Sequence, residues 1–380
     1  MVNLHIGDDV LYCILARLPG KSLLRFRCVS KHWNHLISDP YLMKLRSRRM
    51  IFLPFPRPLA VIDDNVPVED TLHSMVRIST HSPLQQYQGL ADHTPVSIVG
   101  TCNGIMLLCF YDTDLRCHLI LYNPLTRESK QLLVMDPLFS NHINSRIPCV
   151  LGFGDLKIVR FRLFDFPCCI RYIWDVFDLK TSSWSTPQYL ETGFHFTDYA
   201  GTFVNGCLYW LIDTSILAYS VKDRVLSKIS FPYGDERTNL AGLILGSLDG
   251  CLCMVEVRYG FRVWLLKEPS YVKKDPSDCP WKMAHYFAFG PKGEVFHPIC
   301  ITGNGKILMT NSSLQLVIYD TSKRDGSSYK TLQGLATLDD LKRANMVLDF
   351  EYIHRHDHFK YIRSMEYVES LISPSNICSI

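Results

Sequence analysis

The chain has 380 residues, 47% hydrophobic and 20% charged, with a formal net charge of +3 and a pI near 8.1. That balance excludes a disordered chain and leaves no electrostatic footprint for nucleic acid or an anionic membrane. No stretch approaches the roughly 18 consecutive apolar residues of a transmembrane helix, and Asp8-Asp9 precede any apolar segment, so no secretory signal is expected.

The first 48 residues read as three short helices. Val10, Leu11, Ile14, Leu15 and Leu18 fall at i, i+1, i+4, i+5 and i+8, one apolar stripe. Asp8 and Asp9 stand at its start, where carboxylates satisfy free N–H groups and complement the dipole. Pro19 and Gly20 are expected to stop the helix. Ser22 is expected to cap a second helix through Leu23, Leu24 and Phe26. A third carries Val29, Trp33, Leu36 and Ile37, ended by Asp39-Pro40. So short a segment cannot bury all this apolar surface alone, and the surplus calls for a partner.

Beyond residue 50 the pattern changes to short β-rich runs. Lys44 to Arg49 is basic, and Pro54, Pro56 and Pro58 mark a connection. From about residue 96 an Asn-Gly or Asp-Gly pair recurs between apolar runs: Asn103-Gly104, Asn205-Gly206, Asp249-Gly250 and Asn304-Gly305. These pairs tolerate the positive φ of a type I′ hairpin. Gly206, Gly250 and Gly305 lie 44 and 55 residues apart, and the 102 residues from Gly104 to Gly206 leave room for a further unit around Trp174 and Trp184. Four-stranded units at that period are the mark of a propeller, because one blade cannot bury both faces unless its neighbours cover them. About six blades fit, counting an N-terminal run (Met50–Leu53, Met75–Ile78) and a C-terminal run (Tyr361–Leu371). The expected class is α+β multidomain: a three-helix module (1–48), a linker with the first propeller strands (49–95), an all-β propeller-like domain (96–373) and a C-terminal tail (374–380).

The helical segment resembles an F-box, the module that attaches substrate receptors to the Skp-type adaptor of SCF (Skp–cullin–F-box) ubiquitin ligases. The resemblance rests on Asp8-Asp9-Val10-Leu11, Ile14-Leu15, Arg17-Leu18-Pro19, the run from Lys21 to Lys31, Trp33 and Leu36-Ile37, and is strongest with the plant branch. The family opens with Leu-Pro where this chain has Ile6-Gly7, so a looser start to the first helix and weaker adaptor binding are expected. The β region resembles the plant F-box-associated, kelch-related domain through Gly100 to Gly104, Tyr122 to Arg127, Gly152-Phe153-Gly154, Asp178 to Trp184, Val204-Asn205-Gly206 and Tyr367 to Leu371. It departs where Asp155-Leu156 leads directly into Lys157-Ile158-Val159, a loop shorter than the family's. The resemblance implies a receptor that binds the adaptor, and through it a cullin, while the propeller holds an unidentified target protein. The implied adaptor-binding residues are Ile6, Val10, Leu11, Ile14, Leu15, Leu18, Pro19, Leu23, Leu24, Cys28, Val29, Lys31 and Trp33.

No catalytic constellation accompanies these elements. His354, His356 and His358 alternate as on a strand face, a pattern open to zinc or copper and equally to an exposed strand end; no accompanying Cys pair supports a metal, and none is assigned. Cys168-Cys169 and Cys251-x-Cys253 lack metal and redox spacing. Gly303 to Lys306 lacks the full phosphate-loop pattern and reads as a hairpin turn. Lys44, Arg46, Arg48 and Arg49 read as a solvated face. The 14 scattered cysteines, among them Cys13, Cys28, Cys109, Cys149 and Cys207, fit buried thiols in a reducing cytoplasm or nucleus. No cofactor, nucleic-acid or membrane partner is expected. The rival readings are a propeller-fold hydrolase or sugar-processing enzyme, and an F-box scaffold acting outside a ligase.

Overall fold

The computed structural model describes residues 7–18, 20–39, 41–42, 49–53, 60–63, 96–112, 116–135, 149–166, 169–191, 194–198, 200–213, 215–232, 243–248, 250–257, 260–266, 280–288, 296–301, 306–311, 316–320, 329–331, 365–368 and 370–377. Three helices, Asp8–Arg17 (α1), Gly20–Phe26 (α2) and Lys31–Ser38 (α3), precede the strands. Gly20 opens α2 instead of ending α1, so Ser22 lies inside the helix and does not cap it. No described helix is long and apolar enough to cross a membrane.

The strands form six antiparallel sheets among the described residues, as the repeat predicts. The first complete sheet holds Val96–Cys102, Ile105–Tyr111, Cys117–Asn123 and Glu128–Met135 (β3–β6). The second holds Val150–Gly154, Lys157–Phe166, Cys169–Asp178, Ser183–Trp184 and Gln188–Glu191 (β7–β11), the last two pairing in turn along β9. Thr202–Val204, Cys207–Ile212, Ser215–Ser220 and Val225–Ser230 make β12–β15. Leu243–Leu248, Cys251–Val257, Gly260–Leu266 and Trp281–Ala288 make β16–β19. Phe296–Ile301, Lys306–Asn311, Leu316–Asp320 and Tyr329–Thr331 make β20–β23. The sixth sheet joins the two ends of the β region: Arg49–Leu53 (β1) lies between Ala60–Asp63 (β2) and Met365–Val368 (β24), with Arg49 opposite Val368.

The turns follow the sequence where the signal was glycine. Asn103-Gly104 and Asn205-Gly206 both hold positive φ at both central positions, and Gly250 does so after β16. Asn304-Gly305, Met75–Ile78 and His354 to His358 lie outside the described residues. One hairpin was missed. Asp155 and Leu156 adopt φ of 48° and 56° between Gly154 and Lys157, so the shortened loop is itself a two-residue tight turn without glycine. Leu156 is held there by its side chain packing on the neighbouring core and by the Leu179 N–H donating to its carbonyl.

Burial shows why the sheets must stack. Every residue of β13 and β14 is buried, whereas in the outer β15 every residue is exposed or half-buried. A strand buried on both faces needs a neighbour on each side. The joint between the second and third sheets is the best defined. The Trp210 indole N–H donates to the Leu151 carbonyl at 3.0 Å, and that oxygen also accepts the Gly201 N–H at 2.7 Å. Trp210 is fully buried, its ring edge-on to Phe161 at 5.1 Å. The Trp281 indole likewise donates to the Ser230 carbonyl, 2.8 Å, at the next joint. Gly152 and Gly154 are glycine because of what lies over them: an added Cβ would come within 2.4 Å of the Trp210 ring and 2.1 Å of the Phe203 ring, respectively.

The first four residues of the expected C-terminal tail are instead helical. Pro374–Ile377 form a short helix (α4) that packs on β5 and β6 and buries Pro374 and Ile377.

Overpacking at such a site costs about 1–3 kcal/mol. Gly152→Ala and Gly154→Ala should each lower stability by that order in urea unfolding. Gly246→Ala, whose new Cβ would rest 3.4 Å from the Cys253 sulfur, should be tolerated; equal effects at the three positions would refute the packing explanation.

Candidate protein-docking surface

The apolar residues of the helical module divide into two sets. Leu15, Leu23, Leu36, Ile37 and Leu42 are buried together, flanked by Leu11, Tyr12, Ala16, Leu18, Phe26 and Trp33. The Phe26 and Trp33 rings meet edge to face at 5.5 Å. The other set faces solvent: Val10 is 53% exposed, Ile14 45% and Val29 60%, with Cys13, Cys28 and Lys31 also exposed.

This division separates the expected adaptor-binding residues. Leu15 and Leu23 have no exposed surface and serve the module's own core, so they are not available to a partner. Leu11, Leu18, Leu24 and Trp33 are half-buried. Val10, Ile14, Cys28, Val29 and Lys31 are presented outward. Ile6 and Pro19 lie outside the described residues. Cys13 and Cys28 also depart from the expectation of buried thiols, whereas Cys109 and Cys207 meet it and Cys149 is half-buried. Burial raises the Cys149 thiol to about 12.

Polar contacts fix the helices. The Ser30 hydroxyl accepts the Trp33 N–H at 3.1 Å and caps α3. The Tyr12 hydroxyl donates to Asp39 at 2.6 Å, tying α1 to the end of α3, and the Tyr41 N–H donates to the other carboxylate oxygen at 2.8 Å. The Tyr12 hydrogen bond holds Asp39 below the usual carboxylate range and pushes Tyr12 up to about 12, with burial adding to the latter. Sequence reasoning missed Tyr12 and read Asp39 only as the end of the third helix, because their partnership depends on the angle between two helices. At the start of α1, Asp8 and Asp9 make no side-chain cap; Gly7 occupies the cap position, and Asp8 instead meets the His32 ring at 2.9 Å. Gly7 has φ −64° and ψ 150°, with nothing near its absent Cβ. This is the backbone a proline would hold, so the glycine has not altered the helix start itself.

Comparison with known proteins follows this division of the chain. Residues 4–45 match the F-box domain and residues 59–247 the F-box associated beta propeller domain. The chain belongs to the plant F-box proteins. F-box protein At3g07870 of Arabidopsis thaliana is 26% identical over 373 residues, covering 83% of this chain and 85% of that one. The Arabidopsis thaliana F-box protein CPR1 is 27% identical, covering 69% and 70%. Among solved structures, the β-propeller domain of the Trilobed protease from Pyrococcus furiosus overlaps 75% of this chain and 84% of its own at 10% identity, with a TM-score of 0.37. That overlap is loose and says nothing about activity. The F-box match spans all three helices, and the propeller match ends within β16, so the later sheets lie beyond the matched residues.

Two predictions concern the F-box fold. Gly7→Pro should stabilise it by about 0.4–1 kcal/mol, chiefly by restricting the unfolded chain, in thermal or denaturant unfolding. Asp39, with its pKa depressed in the fold, adds stability above its unfolded value of about 3.9 and loses it as pH falls through the folded value. Tyr12, with its pKa raised, adds stability below about 10 and loses it as pH rises through about 12. The Trp33 indole NMR signal should therefore report loosening in acid, and less pH dependence in Tyr12→Phe. An unchanged acid response in that variant would show that the pair does not couple the helices.

Proposed function

We propose that this F-box protein is the substrate-recognition subunit of an SCF-type ubiquitin ligase, working in the cytoplasm or nucleus. The F-box would bind a Skp-type adaptor and thereby a cullin, while the propeller binds a target protein. The observation that carries this reading is the second apolar set: Val10, Ile14 and Val29 remain exposed beside a module core that is already complete. Large side chains left in water on so small a module fit a surface that is covered by another protein.

The chain would do no chemistry of its own. Holding a target near a ubiquitin-charged enzyme raises the effective concentration of the target's lysines, which is a matter of geometry. The exposed set also changes the expected energetics. A large side chain taken from full exposure to burial contributes about 1.5–3 kcal/mol, and these residues have only about half their surface left to bury. Each therefore contributes on the order of 1 kcal/mol, and affinity depends on several acting together.

Co-expression with a Skp-type adaptor and capture of the complex tests this. Ile14→Ala or Val29→Ala should weaken binding roughly fivefold, and Ile14→Asp with Val29→Asp should abolish it, because a carboxylate would be buried unpaired. All three variants should keep the folded helices. Leu15→Asp should instead unfold the F-box and lose binding for that reason. Wild-type adaptor capture by the folded Ile14→Asp/Val29→Asp protein would refute the assignment of this surface.

A further inference from the structure

We propose that residues 370–377 form a strap that fixes the orientation of the F-box on the propeller; its consequence for ubiquitin transfer rests on the receptor reading above. The F-box connects to β1 through positions 43–48, six residues able to reach about 20 Å when extended. The strap supplies a second attachment, and it starts from the same place. Arg49, the first residue of β1, lies opposite Val368 near the end of β24, so the chain following β24 emerges beside the chain that leads from the F-box.

Three side chains then tie this segment to different parts of the molecule. Leu371 packs against the F-box core around Leu15 and Leu36. Ile377, on α4, belongs to the core shared by the first two complete sheets, with Leu119, Leu121 and Phe153. Between them the fully buried Asn123 clamps the strap's backbone: its amide N–H groups donate to the Ser370 carbonyl at 2.8 Å and the Ile372 carbonyl at 2.7 Å. The Asn123 side-chain oxygen accepts the N–H groups of Leu125 and Thr126 at 2.8 and 3.3 Å. Both amide hydrogens and the carbonyl oxygen are thus engaged, so the clamp cannot rotate without leaving buried polar groups unpaired. It grips the residues on both sides of Leu371, which holds that side chain toward the F-box. An aspartate in place of Asn123 would have no hydrogens to donate and would set a charge against two carbonyls.

The proposal concerns angle, not affinity. With the strap intact, a target on the propeller would be presented to the transfer enzyme in one orientation; with it released, the F-box and the ring would each stay folded but pivot. Distance distributions between probes at Ser38 on α3 and Lys222 in the β14–β15 turn, introduced as unnatural amino acids in the full-length chain, read this directly. The wild type should give one narrow peak. Leu371→Ala, Asn123→Asp and removal of residues 370–380 should each lose that peak to a broad distribution. Leu371→Ala removes only the F-box contact and should leave ring unfolding unchanged, so it remains informative if the other two variants fail to fold. A narrow peak retained in Leu371→Ala would overturn the proposal. The measurement uses the free chain, so it is independent of whether the adaptor binds; capture of a Skp-type adaptor, measured in parallel, should be unaffected by Leu371→Ala.

Discussion

The constraint on which the structure depends is that no sheet of this β region can shelter its own two faces. β13 and β14 are buried along their whole length, which is possible only because one neighbour covers each side. At the joint before them, the contact is close enough to require glycine at Gly152, and specific enough to send the Trp210 indole into the Leu151 carbonyl. A chain built this way has two ends that would each leave an uncovered sheet. Pairing β1 with β24 joins the two ends of the β region in one sheet, which lies against the first complete sheet through β3. The fold therefore depends on a contact between residues more than 300 positions apart, and is specified only when the whole β region is present.

The F-box solves a different problem. It is too small to bury all its apolar residues, and it separates them instead. Leu15, Leu23, Leu36, Ile37 and Leu42 turn inward and suffice to hold three helices, aided by the Tyr12–Asp39 bond and the Ser30 cap. Val10, Ile14 and Val29 are left out. On α1 the two sets interleave: Ile14 and Leu15 are adjacent, one exposed and one fully buried. A substitution at either loses partner binding in the proposed role, but for opposite reasons, and only a measurement of folding separates them.

That interleaving also marks the limit of what could be read from the sequence. The three helices, the repeating unit and its number of sheets were legible because each rests on local periodicity or on a turn residue with one physical role. The Asn103-Gly104 and Asn205-Gly206 hairpins are of this kind. The Asp155-Leu156 turn was not, because a leucine does not favour positive φ and the turn is held by tertiary contacts. In the same way the 3.6-residue period identifies an apolar stripe without saying which part of it faces inward, so Leu15 and Leu23 were assigned to a partner they cannot touch. Residues 374–377 read as a tail because four residues carry no periodicity; their burial is decided by β5, β6 and the core they reach. Asn123 was visible only as part of a family motif, with nothing local to show that it grips residues almost 250 positions away.

These long-range contacts converge on one short segment. Within ten residues the chain completes the closing sheet with Val368, passes Asn123, places Leu371 against the F-box and ends with Ile377 in the core of the first complete sheets. The joining of the β region's two ends and F-box attachment are therefore not independent: the strand that pairs with β1 positions the residues that reach the F-box. For a protein whose proposed work is to hold one partner at a set distance from another, that coupling matters more than the strength of either contact. Loss of a few tenths of the helix-stabilising energy in the F-box would leave the geometry intact, whereas a slip in the register of β24 would displace Leu371 and Ile377 together.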